Sequence, residues 1–302
     1  MSFSFDTKTE LCRLAQAERH CAVAECYGVL LYCNTFSAKE IRIVTGNAMF
    51  GQRLAEQFMH AFSINFDILP DKKETGKQAY IINDKNKLRE IFETFGYSLE
   101  SMLAHHVNLG VLEDECCRRS FVRGVFLAGG AVTNPAKSYH LELVTAHYNV
   151  SRQTYSLLLE MGFSPKEISR GGNYIIYFKQ SSAIEDFLTS VGAPLAAMEL
   201  MSAKIEKDVR NSVNRKVNCD TANVTKTVDA AASQIKAIEI ITAAGLMDTL
   251  SDKLKQTSLL RLQNPELSIK ELAEISIPPV TKSCLNHRLR KLTELAEQIP
   301  SA

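Results

Sequence analysis

The chain has 302 residues, of which 45% are apolar and 23% charged, and its formal net charge at pH 7 is +1. These proportions are ordinary for a soluble globular protein of roughly two or three domains. Because the total charge is so small, an electrostatic partner must be recognised by a local patch of charge. No apolar run approaches the roughly eighteen residues of a membrane span, so the sequence predicts no membrane helix.

The eight cysteines show no C-x-x-C pair and no disulfide-framework spacing. This pattern is typical of reduced thiols in a cytosol. The first residues, MSFSFDTKTELCR, lack a basic segment followed by an apolar core, as a secretion signal would have. We therefore expect a cytoplasmic protein.

In chain order, apolar residues at helical spacing predict one helix over Thr7–Cys33. Residues Ile41–Val44 alternate as a strand, and Met49–Phe62 reads as an amphipathic helix laid on a sheet. The charged stretch that follows is a predicted hairpin tip. Its lysines either touch phosphate or only keep the loop solvated: Lys72, Lys73 and Lys77.

The next polar segment raises the question of a metal site. It contains His105 and His106, then an acidic cluster, 113–115, directly before Cys116 and Cys117. Adjacent residues rarely point at one ion, and acidic residues at a helix start are explained by the helix dipole. The sequence therefore predicts no metal ligands and no cofactor.

The chain before Gly192 consists of two matching halves. The apolar helix around Gly124 has a twin around Gly28, and further strand and helix pairs recur in the same order at offsets of 94 to 100 positions. A period this long indicates a duplicated domain rather than a solenoid. Glycines inside a helix cost stability unless they allow a second backbone to approach closely, so we expect the two helices to pack together.

Two halves of this kind resemble the LAGLIDADG homing-endonuclease fold, in which paired helices form the axis of a saddle over DNA. The nine-residue motif fits Cys26–Asn34 and Val122–Gly130, with axial-helix glycines at Gly28, Gly124, Gly129 and Gly130. In the nucleases the eighth position is the acid that holds the catalytic metal. Here it is Cys33 or Gly129, so the resemblance implies no catalytic residues and no enzyme activity.

A change in composition follows, over Met198–Lys226. Cations interleaved with amides are what a segment touching a phosphate backbone needs, although a plain interdomain connector is also polar. The candidate phosphate contacts of this linker are Arg210, Asn214, Arg215, Lys216 and Lys226.

The remaining residues predict an all-helical domain. An apolar stripe from Val224 to Ile238 predicts a helix that ends at Gly245, and a second helix is predicted over Leu250–Leu262. Ser268 and Glu271 form a predicted capping box for a helix at Ile269–Ile275.

The last helix, capped by Thr281, has a leucine seam and an opposite polar face without acids up to Lys291. This is the pattern of a helix-turn-helix whose second helix enters a major groove, similar to sigma-factor region 4. Arg288, nearer the seam, ranks below Arg290 as a base contact. The alternative is a surface helix with a solvated basic face. The candidate DNA-binding residues are Lys282, Ser283, Asn286, His287, Arg288, Arg290 and Lys291.

The segments RNSVNRKVNCDTANVTKT, 210–227, and NHRLRKL, 286–292, resemble those of the bacterial WhiA family. The resemblance implies an α+β protein: a duplicated LAGLIDADG-like domain followed by an all-α helix-turn-helix domain. We expect repeats at 1–112 and 113–198, a basic linker at 199–217 and the helix-turn-helix domain at 218–302.

The same resemblance implies a sequence-specific DNA-binding regulator linked to cell division, chromosome segregation or sporulation, acting at the bacterial nucleoid. Double-stranded DNA is the expected partner, and RNA polymerase or another transcription regulator is a possible second one. Two alternatives remain: an active metal-dependent endonuclease whose acids come from outside the motif, and an RNA- or protein-binding scaffold.

Overall fold

The computed structural model describes residues 2–16, 18–70, 76–98 and 104–299. The chain divides into a first unit, Met1–Lys207, and a second unit, Asp208–Ala302. The predicted linker, 199–217, is helical: it lies within a single helix, α8, that extends over Pro194–Ala243 and belongs to both units. Of the loop lysines predicted to be solvated, Lys72 and Lys73 lie outside the described residues.

The first unit alternates helices with two small sheets. Its helices before α8 are α1 Phe3–Cys12, α2 Arg19–Tyr32, α3 Ala48–Phe62, α4 Lys85–Thr94, α5 Glu115–Gly129, α6 Tyr148–Glu160 and α7 Ser181–Val191. Its strands are β1 Thr35–Phe36, β2 Ile41–Thr45, β3 Gln78–Ile82, β4 Gly130–Val132, β5 Leu141–Thr145, β6 Lys166–Arg170 and β7 Asn173–Phe178.

Both sheets are antiparallel, with strand orders β1-β2-β3 and β4-β5-β7-β6. In each sheet the second strand after the axial helix pairs with the strand that precedes the last helix of its half: Ile41 of β2 lies opposite Ile82 of β3, and Leu141 of β5 lies opposite Phe178 of β7. Alternate residues of β2 and β5 are buried, so each sheet covers the helices with one face. The α+β duplicated fold predicted from the sequence is confirmed.

Helices α2 and α5 pack against each other through their glycines. A Cβ atom added to Gly28 would lie 2.1 Å from the carbonyl oxygen of Phe121, and one added to Gly124 would lie 2.0 Å from that of Glu25. Real Cβ atoms do not come this close to backbone oxygens, so glycine is required at both positions. The two backbones touch directly, as the repeated glycines predicted.

A buried ion cluster ties this helix pair to α3. The Glu25 carboxylate accepts from Arg53 Nε at 2.6 Å and Nη2 at 2.8 Å, and from Arg123 Nη1 at 3.1 Å. Glu25 and Arg53 are each only 4% exposed. Such a buried charge is tolerated only when it is paired and hydrogen-bonded, and here one acid on α2 is shared by cations of two other helices.

The helix predicted over Thr7–Cys33 is wrong in one respect, because the chain turns between α1 and α2. The Leu14 carbonyl in this turn accepts a hydrogen bond from Arg53 Nη1 at 3.0 Å. A carbonyl inside a continuous helix would instead bond within the helix. A tertiary partner therefore replaces the local helical one.

The second unit adds α9 Asp252–Gln263, α10 Ile269–Ile275 and α11 Lys282–Glu297 to the end of α8. Their buried core is Ala237, Ile238, Ile241, Leu254, Leu272, Ala273, Leu285, Leu289, Leu292 and Ala296. The capping box of Ser268 and Glu271 is present as predicted. The predicted α8 stripe is only partly buried, because Val224 and Val228 are 62% and 57% exposed.

Replacing either axial glycine by alanine should lower the stability of the first unit by at least roughly 1–3 kcal/mol, since overpacking forces the backbones apart. Urea unfolding of Gly28→Ala and Gly124→Ala measures this change. Gly46→Ala is the matched control, because its added Cβ would meet its nearest atom at 3.7 Å. Equal stability of all three variants would contradict the close helix contact.

Candidate nucleic-acid interface

Helix α11 presents a buried seam on one side and a polar face on the other. Its first turn is closed by Thr281, whose side chain accepts from the Cys284 amide at 3.2 Å. The seam residues Leu285, Leu289 and Leu292 are each 1% exposed. The leucines therefore hold the helix against the core while its other side faces solvent.

The predicted DNA-binding residues fall into two groups. Arg288 is half-buried and lines a cavity of about 460 Å³ with Ile277, Pro278 and others, so it is placed against the domain rather than away from it. The others are exposed: Lys282, Ser283, Asn286, His287, Arg290 and Lys291.

One of the exposed cations already has an acidic neighbour. Arg290 Nε donates to Glu294 Oε1 at 3.0 Å, one helical turn further along α11. An exposed pair of this kind is worth little in stability. It does, however, reduce the positive charge that Arg290 offers to another molecule.

The connection between α10 and α11, residues 276–281, is longer than a tight turn and is held by its own hydrogen bonds. The Val280 amide and the Ser276 hydroxyl both donate to the Ala273 carbonyl, at 3.2 and 2.9 Å. Ile277 lies 89% exposed at its tip. These bonds fix the entry into α11.

Sequence analysis missed Arg261, which is 1% exposed. Its Nη1 donates to the Leu267 carbonyl at 2.7 Å and so holds the turn between α9 and α10, while Nε has no partner among the described residues. Burial lowers the pKa of this guanidinium. An arginine amid the apolar stripe of α9 was the available signal.

Arg261 also lines a cavity of about 200 Å³ that brings together lysines from three helices: Lys226 of α8, Lys270 of α10 and Lys282 of α11. All three are exposed. A candidate linker cation and a candidate helix-turn-helix cation thus border one groove of the second unit. A groove with this donor set suits an anionic oxygen such as that of a phosphate.

The remaining linker candidates, Arg210, Asn214, Arg215 and Lys216, are all exposed along α8. At about 100° per residue they do not share one face of the helix. Arg210 and Asn214 lie close in direction, whereas Arg215 points with Lys226. A straight duplex could therefore meet only part of this set at once.

The C-terminal ends of the axial helices carry no carboxylate in the motif. A Cβ added to Gly129 would lie 2.6 Å from the Val144 carbonyl oxygen and 2.7 Å from Tyr32 Cδ1, so no side chain fits there. Gly130 is equally enclosed, by Phe126 at 2.4 Å. These two glycines offer no side-chain ligand, and no space for one, to the catalytic metal that the nucleases hold here.

The corresponding position in the first half is Cys33, whose thiol donates to the Leu30 and Thr35 carbonyls at 3.1 and 3.2 Å. Burial raises the pKa of this thiol to about 12. A protonated thiol engaged by backbone oxygens is a poor ligand for a catalytic magnesium ion.

The outward face of the second sheet is mixed in charge. Glu142 lies opposite Tyr177 on β7, which in turn lies opposite Lys166 on β6. Glu142 also approaches His140 at 3.3 Å. This face lacks the uniform positive charge that is typical of a surface dominated by phosphate contacts.

The histidines weighed as metal ligands have other surroundings. His105 stacks on Phe36 with ring centroids 5.1 Å apart and meets His147 at 4.4 Å. Burial, and then the neighbouring His147, lower the pKa of His105 to about 4.

Among the described residues, histidine, cysteine and acidic side chains gather in ligand range at one place: His20, Cys21, Cys116 and Cys117. This cluster lies at the N-terminal ends of α2 and α5, opposite to the motif's metal position. The cluster was not predicted from the sequence, although His20 and Cys116, and likewise Cys21 and Cys117, are separated by the 96 positions of the duplication.

In the described ranges, no helix is both long and apolar enough to span a membrane.

Comparison with known proteins gives matches to two family models. Residues 118–210 match the WhiA LAGLIDADG-like domain, and residues 213–296 match the WhiA C-terminal HTH domain.

Relatives of similar length show the likeness along the whole chain. A probable cell division protein WhiA of Staphylococcus haemolyticus is 38% identical over 100% of this chain and 98% of its own length. One from Ruminiclostridium cellulolyticum is 38% identical over 99% and 98%. The crystal structure of full-length DUF199/WhiA from Thermatoga maritima is 26% identical, covers 100% of both chains and has a TM-score of 0.60.

Removing the acid beside Arg290 should strengthen binding to duplex DNA. Glu294→Gln frees one cation, so the slope of log K against log salt should steepen by up to about 0.9. Glu297→Gln removes the same charge from the same helix and serves as control, with fluorescence anisotropy as the measurement. An equal gain in both variants would mean that Arg290 makes no contact of its own.

Proposed function

The chain belongs to the WhiA family, and we propose that it is a sequence-specific DNA-binding transcription regulator linked to cell division, without nuclease activity. The observation that carries this proposal is the exposed, acid-poor face of α11, held outward by a fully buried leucine seam. Its site of action would be the bacterial nucleoid, and its regulated processes would include chromosome segregation or sporulation.

The proposed reading residues lie early in α11. A side-chain amide such as Asn286 can pair with both N6 and N7 of adenine. Ser283 lies about one turn before it, and the next residue, His287, is also exposed. Arg290 would follow along the groove once released from Glu294. Arg288 is left out of direct reading because it is half-buried.

Phosphate contacts would come from cations around the reading face. Lys226, Lys270 and Lys282 border the groove over Arg261, which makes them candidates for a single phosphate. Lys291 extends the same role along α11. Arg210, Arg215 and Lys216 would add contacts wherever the duplex follows α8.

The absence of nuclease activity is supported by sterics at the axial helix ends. Because Gly129 is enclosed by Val144 and Tyr32, the surrounding packing leaves no space for an acidic side chain at this position. The Cys33 thiol donates its proton to backbone carbonyls. Two-metal phosphodiester cleavage would need carboxylates that neither position provides.

A protein partner, such as RNA polymerase or another regulator, is a second candidate because of one observation. Ile205, Val209, Val213 and Val217 recur every four residues along α8 and are 54–65% exposed. A row of exposed aliphatic side chains contributes nothing to phosphate binding and is typical of a surface that contacts protein.

Two substitutions separate reading from anchoring. Asn286→Ala should cost roughly 1–3 kcal/mol on a duplex selected from a random pool and little on a scrambled one. Lys291→Ala should weaken both alike and reduce the salt slope by about 0.9. Competition binding at two salt concentrations measures both. If Asn286→Ala changes neither duplex, or both equally, α11 is not the reading helix.

The protein should leave supercoiled plasmid intact in magnesium or manganese. Restoring an acid with Gly129→Asp should also give no nicking and should instead destabilise the first unit, because the side chain has no space. Gel analysis of plasmid and thermal unfolding are the two measurements. Metal-dependent nicking that survives repurification and is lost on mutating a single acid would refute the proposal.

A further inference from the structure

The cluster of His20, Cys21, Cys116 and Cys117 joins the first turns of the two axial helices. His20 and Cys21 lie in the first turn of α2, and Cys116 and Cys117 lie in the first turn of α5. The two pairs occupy equivalent positions of the duplication, 96 residues apart, like Gly28 and Gly124. Because the helices pack as a symmetric pair, equivalent positions at their starts meet at the pair's own axis.

The four potential ligand atoms all lie within 4.8 Å of one another. In a tetrahedral zinc site, sulfur and nitrogen ligands are about 3.5 Å apart and two sulfurs about 3.8 Å apart, given the usual zinc–ligand bond lengths. His20 Nε2 and Cys116 Sγ are already 3.4 Å apart. The other pairs of ligand atoms need to close by at most about 1.0–1.3 Å, which small rotations of side chains provide.

The surroundings of His20 also fit a metal ligand. Its other ring nitrogen, Nδ1, lies 3.5 Å from the Glu18 carboxylate, which leaves Nε2 directed at the cysteines. A carboxylate behind a histidine is the usual second partner that fixes the ring of a zinc ligand. Adjacent residues rarely point at one ion, but here each of two helices contributes one adjacent pair, and the two pairs face each other.

The donor set determines which ion would fit. Three thiolates and one imidazole are soft and borderline donors, which select zinc over magnesium, calcium or manganese. Helix N-termini favour thiolates, and Cys21, Cys116 and Cys117 lie in the first turns of α2 and α5. Cys21 and Cys117 are buried whereas His20 and Cys116 are exposed, so the cluster is accessible from one side.

We propose that His20, Cys21, Cys116 and Cys117 form a structural zinc site that clamps the start of α2 to the start of α5. Four protein ligands leave no open position, so the ion would be structural rather than catalytic. Binding releases the protons of the three thiols to solvent. The site lies at the other end of the helices from the nuclease metal position and is independent of DNA binding.

The test is metal binding by the full-length chain. Protein purified without chelator should contain one zinc ion per chain by mass spectrometry. After zinc removal, cobalt(II) should produce visible absorption of a tetrahedral ion together with thiolate charge transfer. Cys116→Ser should abolish the charge-transfer spectrum or weaken cobalt affinity by more than tenfold, and Glu18→Gln should weaken it by about tenfold.

Cys219→Ser is the matched control, since Cys219 is an exposed thiol on α8 outside the cluster. It should bind zinc and cobalt as the parent chain does. Cys116 and Glu18 are exposed, and circular dichroism establishes that each variant remains folded. An unchanged cobalt spectrum in Cys116→Ser would overturn the proposal. Absence of stoichiometric metal would also overturn it, as would a disulfide among the three cysteines in its place.

Discussion

The direct contact of two helix backbones at Gly28 and Gly124 is the constraint on which the first unit depends. An added Cβ at either position would lie about 2 Å from a carbonyl oxygen of the partner helix. This closeness fixes how the two halves meet. It also brings Glu25 within reach of Arg123 on α5 as well as Arg53 on α3. One buried acid and two cations thus lock the helix pair to the surrounding layer.

The same packing accounts for the chemistry of the two ends of the helix pair. At the C-terminal ends the chain is so closely packed that Gly129 has no room for any side chain. At the N-terminal ends four potential soft ligands face one another. Nucleases of this fold keep catalytic acids at the C-terminal ends of the paired helices, where this chain has closely packed backbone and no room for a side chain. Its candidate metal site lies at the opposite, N-terminal ends.

The second unit depends on a different device, a leucine seam that leaves one face of α11 free. Thr281 caps the start of α11, and the capping box of Ser268 caps the start of α10. The buried Arg261 holds the turn before α10. These local fixings position a helix whose outward residues carry amides and cations. Base recognition would therefore need no contribution from the axial helices.

Local and repeated signals could be predicted from the sequence. The glycine repeat, the capping box and the α11 seam each depend on residues close in sequence or at one fixed offset. Features with a tertiary cause could not be predicted. The break after α1 exists because Arg53 takes the Leu14 carbonyl, and Val224 is exposed because the core of the second unit begins only at Ala237.

In the function proposed here, the second unit reads the DNA sequence and the rest of the chain adds contacts that do not depend on sequence. Fragment 218–302 contains every buried residue of that unit's core, so it should fold alone. In salt titrations it should still prefer a selected duplex over a scrambled one. Its slope should be shallower than that of the full chain by about 0.9 per lost phosphate contact. A folded fragment without that preference would contradict the account.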